Sequence, residues 1–96
     1  MSSIEVKTTV KVSKRAEKQL RKIPKHIQES LRNWTVTVQR IGTRDTRKLS
    51  GFHDEPLQGD RKGQRSVRLN KAYRAIYIET IQGLELLVIE VNKHEY

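Results

Sequence analysis

Apolar and polar side chains alternate along residues 4–12 of the sequence. The positions that would share the buried side are Ile4, Val6, Thr8, Val10 and Val12. A period of two is typical of a strand with one buried face. Ser13 follows as a candidate helix N-cap, and Ala16, Leu20 and Ile23 then recur at spacings of four and three. The pattern predicts a strand followed by a short helix.

A longer stripe at helical spacing predicts a second helix with one buried face. Its members are Ile27, Leu31, Trp34, Val38 and Ile41. Pro24 fits the first position of this helix, where its missing N–H costs nothing, and Gly42 fits the C-terminal cap.

Residues 43–63 contain three glycines and one proline and show no sustained period, so they are predicted to form a long loop. Three strand-like segments follow, at 65–70, 73–80 and 84–92. The order of strand, helix, helix and three strands predicts one α+β domain over residues 1–96. Its simplest form is a twisted antiparallel or mixed sheet packed on the N-terminal helix pair.

The chain is strongly basic, with 20 Lys and Arg against 11 Asp and Glu and a formal charge of +9. Residues 1–50 hold 13 basic and 4 acidic side chains, whereas residues 51–96 hold 7 of each. Such a surplus favours an anionic partner, which nucleic acid or an acidic protein segment could equally provide. A basic run without acids also extends from Arg61 to Arg74.

Several classes of protein lack support. No apolar run is long enough to span a membrane, and without cysteines there is no disulfide, thiol nucleophile or Cys-ligated zinc, so a reducing cytoplasm is expected. Walker, GxGxxG, HExxH and GxSxG motifs are missing, and neither a cofactor nor a metal is expected. The group His53-Asp54-Glu55 fits a hydrated loop as well as a ligand set.

The remaining candidates for chemistry are Arg, His, Glu and Tyr side chains in the loop and the last strands. Metal-independent RNA cleavage needs a base for the 2′-hydroxyl, cations for the charged phosphorane and an acid for the departing 5′-oxygen. Arg68 should point away from the apolar face formed by Val67 and Leu69. Arg74 is unusual in a strand with Ile76 and Ile78, and this favours a cleft or rim position.

Three segments carry a family resemblance: KLSGF, PLQGDRKGQRSVRLNKAYRAIYIE and LLVIEVNKHEY. Together with the order of elements, they resemble the RelE/ParE superfamily of type II toxin–antitoxin toxins, especially its RelE-, YoeB- and HigB-like ribonucleases. The resemblance implies the RelE-like microbial ribonuclease fold. It also implies a ribosome-dependent endoribonuclease that cuts mRNA, contacts ribosomal RNA and is silenced by a cognate antitoxin.

The resemblance also implies roles for individual residues. Arg74 matches the arginine that contacts the scissile phosphate, His94 the C-terminal acid or transition-state contact, and Tyr96 the residue that seats the nucleotide. Glu55 resembles the general base of YoeB-like members, and His53 is an alternative base. Arg68 and Arg65 stand where basic residues flank the phosphate. The other side chains expected to bind RNA are Arg61, Lys62, Lys71 and Lys93.

Two other functions fit the same sequence. A ParE-like toxin would bind DNA gyrase without cutting RNA and would not need His94 with Arg74. A non-catalytic RNA- or ribosome-binding module would keep the basic surface and make the site residues a coincidence.

Overall fold

The computed structural model describes residues 8–80 and 84–93. Its core is a five-stranded sheet in the order β1-β5-β4-β3-β2, in which β1 is parallel to β5 and the other pairs are antiparallel. The elements are β1 (Thr9–Val12), α1 (Lys14–Leu20), α2 (Lys25–Arg47), β2 (Glu55–Pro56), β3 (Gln64–Arg68), β4 (Tyr73–Thr80) and β5 (Glu85–Lys93). The predicted α+β class, with a mixed sheet on a helix pair, is confirmed.

Both predicted helices form, although α1 ends at Leu20, before the last position of its stripe, Ile23. The Ser13 hydroxyl caps α1 by accepting a hydrogen bond from the Ala16 N–H at 3.1 Å. Four members of the α2 stripe are buried against the sheet: Ile27, Leu31, Trp34 and Val38. The fifth, Ile41, is 44% exposed, so the buried part of the stripe ends one turn early. Pro24 precedes the helix as its N-cap and does not occupy its first position.

The predicted loop at 43–63 is partly wrong. Gly42 has φ 86° and ψ 165°, which interrupts α2 as expected of a terminating glycine, but the helix resumes and continues to Arg47. Two 3-10 turns, Ser50–Phe52 and Gly59–Arg61, and the short strand β2 follow. Each piece is too short to show a period in the sequence, and β2 forms by pairing with β3.

The sheet has two different faces. The inner face packs on the helices and includes Val67, Ala75 and Tyr77, with the Tyr77 ring 5.0 Å from that of Trp34. The opposite face, called here the outer face, includes Ser66, Arg68, Arg74, Ile76 and Asn92, because directly paired residues of neighbouring strands point the same way.

Two local features set the register of the outer face. A β-bulge lies in the β4–β5 pair between Ile76 and Tyr77. The turn from β3 to β4 is fixed by the Asn70 side chain, whose Oδ1 accepts from the Ala72 and Tyr73 N–H groups at 2.7 and 2.8 Å. This turn also ends β3 at Arg68, two residues before the predicted boundary. Within the described ranges, no helix is long and apolar enough to cross a membrane.

Candidate functional site

Two arginines lie side by side on the outer face. Arg68, the last residue of β3, pairs directly with Arg74 of β4, and Arg74 pairs with Asn92 of β5. Arg68 is exposed, whereas Arg74 and Asn92 are half-buried. Like charges directly opposite each other destabilise a sheet, and a bound anion would relieve that cost. The row therefore forms a cationic platform with an amide at one end.

His53 extends this row at the edge of the sheet. Its Nε2 lies 3.3 Å from Nη1 of Arg68. A guanidinium can only donate, so this contact is a hydrogen bond in the tautomer that leaves the Nε2 lone pair free. His53 also has φ 44° and ψ 52°, and among the described non-glycine residues no other has a positive φ. A left-handed backbone at an exposed histidine is a conformation that clusters at functional sites.

Glu55 is on the same face as the arginine pair. It lies in β2 directly opposite Ser66, which precedes Arg68 by two residues on β3. Two residues along a strand span about 7 Å, so the carboxylate of Glu55 is within one nucleotide's reach of Arg68. The side chain is exposed and available to solvent or a ligand.

Asp54 stands between these two candidate bases and points the other way. Its side chain is only 2% exposed and accepts hydrogen bonds from Arg65 Nε at 2.6 Å and from the Tyr77 hydroxyl at 2.5 Å. Arg47 of α2 lies 4.0 Å from the same carboxylate and also pairs with Glu79. We call Asp54, Arg65, Tyr77, Arg47 and Glu79 the inner polar network.

The network shifts the pKa values of two members. Burial, followed by the hydrogen bond to Asp54, raises the pKa of Tyr77 to about 12. Burial lowers the pKa of Arg65, but the hydrogen bond to Asp54 and its negative charge outweigh this and leave the pKa above its ordinary value. The network thus keeps Tyr77 neutral and Arg65 charged. It also ties the 53–55 segment to α2, β3 and β4.

The network separates Arg65 from the other predicted site residues. Arg65 pairs across the strands with Tyr77 and lies on the inner face, away from Arg68 and Arg74. Successive residues of the group His53-Asp54-Glu55 point to alternating sides. Asp54 is turned away from its neighbours, and within 8–80 and 84–93 no three His, Asp or Glu side chains are grouped to hold a metal ion.

Arg61 lies on the outer face but is held by an acid. Its Nη2 is 2.8 Å from the Glu90 carboxylate, and its Nη1 donates to Gln64 at 3.0 Å. The Glu90 side chain is 8% exposed and also binds Arg15 of α1 at 2.9 Å. Glu90 therefore connects the 59–61 turn to α1 across the sheet.

The remaining predicted RNA-binding lysines are exposed and dispersed. Lys62 follows the 59–61 turn, and Lys71 lies in the turn between β3 and β4. Lys93 pairs with Tyr73 and so lies on the inner-face side of β5. His94 and Tyr96 fall outside the described residues.

The structure thus brings together four predicted residues: His53, Glu55, Arg68 and Arg74. Sequence reasoning missed Asn92, which joins the arginine row only through the β4–β5 register, and Asp54, which orients its two neighbours. The arrangement offers two cations for a phosphate and two groups able to accept a proton.

Solved structures share this architecture. A chain of the RelBE2 toxin–antitoxin complex from Mycobacterium tuberculosis shares 21% sequence identity with this chain, with a TM-score of 0.69 over 93% of this chain and 100% of that one. The chain has the RelE-like toxin fold. The archaeal RelE–RelB complex from Pyrococcus horikoshii OT3 matches with a TM-score of 0.70 and 19% identity over 91% of this chain and 94% of that one. A YoeB/ParE toxin from Agrobacterium tumefaciens matches with a TM-score of 0.66 and 18% sequence identity, over 92% of this chain and 100% of that one.

The RelE-like fold agrees with the fold that the sequence resemblance implied. No protein-family model matches the sequence. No curated protein matches it either. At identities of 24% or less, the solved structures establish the architecture.

Proposed function

We propose that this protein is the toxin of a type II toxin–antitoxin system and that it cleaves mRNA on the ribosome without a metal ion. The observation that carries the proposal is the cross-strand pair Arg68–Arg74, with His53 and Glu55 on the same face. Two adjacent guanidinium groups suit a phosphodiester, which offers paired oxygens and gains negative charge in the transition state.

The chemistry follows from these groups. A base removes the proton of a 2′-hydroxyl, whose oxygen attacks the adjacent phosphorus. The bond to the 5′-oxygen of the next nucleotide then breaks, and that oxygen takes a proton from an acid. The products are a 2′,3′-cyclic phosphate and a 5′-hydroxyl. Arg68 and Arg74 would bind the phosphate oxygens and stabilise the phosphorane.

Two residues compete for the role of base. His53 is exposed, and in the tautomer that leaves Nε2 without a proton this nitrogen can accept the proton of a 2′-hydroxyl beside the phosphate bound by Arg68. Glu55 is an exposed carboxylate on the same face. His94 as acid and Tyr96 as nucleotide seat remain predictions from the family resemblance, as do RNA contacts by Arg61, Arg65, Lys62, Lys71 and Lys93.

The test is cleavage of ribosome-bound mRNA by purified protein. We expect Arg68→Ala and Arg74→Ala to lose on the order of 10²-fold or more in rate, since each removes a contact to developing charge. Arg40→Ala removes an equally basic, exposed side chain from α2 and is expected to cut like the parent. Parental rates in both site variants would overturn the assignment.

The base is identified by comparing His53→Ala with Glu55→Gln in the same assay. The general base contributes about 10²–10⁴-fold, so one variant should lose that factor. The other variant should retain most of the activity.

We further propose a cognate antitoxin as the protein partner. RelB and DinJ are crystallised with toxins of this fold. Ribosome-bound mRNA and ribosomal RNA are the proposed nucleic-acid partners, and the cytoplasm is the proposed place of action. The basic surface of α1, where Lys14 and Lys18 are exposed and Arg15 pairs with Glu90, suits either an acidic antitoxin segment or ribosomal RNA.

A ParE-like gyrase inhibitor is the second candidate, because one of the structures with this fold is described as a YoeB/ParE toxin. Inhibition of DNA supercoiling with translation unaffected would favour it. Ribosome binding without cleavage would favour a non-catalytic binding module.

A further inference from the structure

A groove of about 320 Å³ lies beside the arginine row. One wall is α2, and the other is the 50–52 turn with the end of β3. The side chains that matter are Ser30, Asn33, Leu49, Phe52 and Arg68. Because Arg68 belongs to both the groove and the cationic platform, a ligand with its phosphate on the arginine pair can place its neighbouring group in the groove.

The groove combines apolar and hydrogen-bonding surfaces. Leu49 is 43% exposed, one of four large apolar side chains among the described residues left in water, and Phe52 is half-buried beside it. Asn33 is exposed and offers an amide that both donates and accepts. The Ser30 hydroxyl donates a hydrogen bond to the His26 carbonyl oxygen at 3.1 Å, so the Ser30 oxygen can still accept a hydrogen bond from a ligand.

We infer that this groove is a subsite for one nucleobase of the RNA, next to the phosphate bound by Arg68 and Arg74. A nucleobase has apolar faces, which suit Leu49 and Phe52, and an edge of donors and acceptors, which suits Asn33 and Ser30. The volume lies in the range of small-ligand sites, about 300–1,000 Å³. The inference rests on the proposed function, because it takes the phosphate to be part of an RNA chain.

Charge favours RNA over a protein segment. The groove has no acidic lining residue, and its charged member, Arg68, belongs to the site proposed for a phosphate. A nucleotide of single-stranded RNA can place its phosphate on the arginine pair and its flat base against the walls of the groove. Asn33 and Ser30 would then set which base is accepted, and Leu49 and Phe52 would hold it.

The first experiment measures base preference. Wild type, Asn33→Ala and Ser30→Ala cleave a ribosome-bound mRNA pool with randomised codons, and the bases flanking each cut are counted. Asn33→Ala should reduce the preference at one flanking position by about fivefold to tenfold, the loss expected for one hydrogen bond. Gln39→Ala removes an exposed side-chain amide from the same helix outside this groove and should leave the preference unchanged.

Asn33→Ala and Ser30→Ala should both fold, because the two residues are on α2 and alanine has the highest helix propensity. Unchanged preference in Asn33→Ala and Ser30→Ala would overturn the inference. The inference would also be overturned by a variant that keeps the base preference and loses only affinity for the antitoxin, because the groove would then be a protein-docking surface.

The second experiment does not require cleavage. The four nucleoside 3′-monophosphates and inorganic phosphate are titrated separately while the side-chain NMR signals of Asn33, Arg68 and Arg74 are followed. We expect phosphate to shift only the arginine signals and at least one nucleotide to shift Asn33 as well. An Asn33 signal that no nucleotide moves would overturn the subsite. If wild type cuts no RNA but a nucleotide shifts Asn33, the proposed function fails and the base subsite stands.

Discussion

The hydroxyl of Tyr77 is the point at which the inner polar network can be weakened without opening a cavity. Tyr77→Phe keeps the ring packed against Trp34 and removes an oxygen that donates to Asp54 and accepts from Arg47. A hydrogen bond to a charged group contributes about 1.5–3 kcal/mol. We expect the free energy of unfolding to fall by about 2 kcal/mol near neutral pH, equivalent to a Tm lower by roughly 10 °C.

The same hydroxyl makes stability depend on pH. The pKa of Tyr77 is raised to about 12 in the folded protein, mainly by burial and then by Asp54. A tyrosine in the unfolded chain titrates near pH ~10. Since the folded state binds the proton more tightly, this contribution is full below pH ~10 and is lost as the pH rises through about 12. By pH ~11 the loss amounts to ~1.4 kcal/mol.

Urea unfolding of the two proteins, followed by the fluorescence of the single tryptophan, Trp34, measures this directly. Subtracting the variant from the parent cancels the titration of lysines and of the other tyrosines. The difference in free energy of unfolding should shrink by ~1.4 kcal/mol between about pH 8 and about pH 11. A difference that is constant over this range would refute the claim that Asp54 and burial hold the proton on Tyr77.

Two further substitutions test the backbone and the outer face. Gly42→Ala should lower the free energy of unfolding by about 1–3 kcal/mol, because a φ of 86° strains any residue with a side chain, even though the added methyl group would meet no neighbour. Gly51→Ala is the matched control, since the space around Gly51 is also open. It should change the free energy of unfolding, measured by thermal unfolding, by less than about 1 kcal/mol. Glu90→Gln should release Arg61, and if Arg61 then reaches RNA, the plot of log affinity against log salt steepens by about 0.7 for the added phosphate contact. An unchanged slope in a salt titration would show that Arg61 makes no such contact.

The sequence predicted long periodic elements well and short ones poorly. The α2 stripe and the segment 73–80 are long enough for their periods to stand out. Four of the five stripe positions are buried, and β4 spans the predicted residues 73–80. The two residues of β2 have no period at all. They are ordered by pairing with β3 and by the anchoring of the neighbouring Asp54, both long-range contacts that a local pattern does not contain.

The same limit applies to the site. Alternation along β3 correctly turned Arg68 away from Val67, and it also implies that Arg65 shares the apolar side with Val67. It could not identify Asp54 as the acid that pairs with this half-buried arginine. That Arg74 lies beside both Arg68 and Asn92 depends on the Asn70 turn and on the β-bulge, which fix register between strands.

The short strand β2 also has a consequence for self-association. It forms one border of the sheet, and a long unpaired border can add strands from other copies of a chain and grow into fibrils. Here the border strand is two residues long, and Pro56 has no N–H to give to an incoming strand. This side of the molecule is therefore a poor template for aggregation. A binding partner at this side would have to contact side chains, since strand addition is disfavoured.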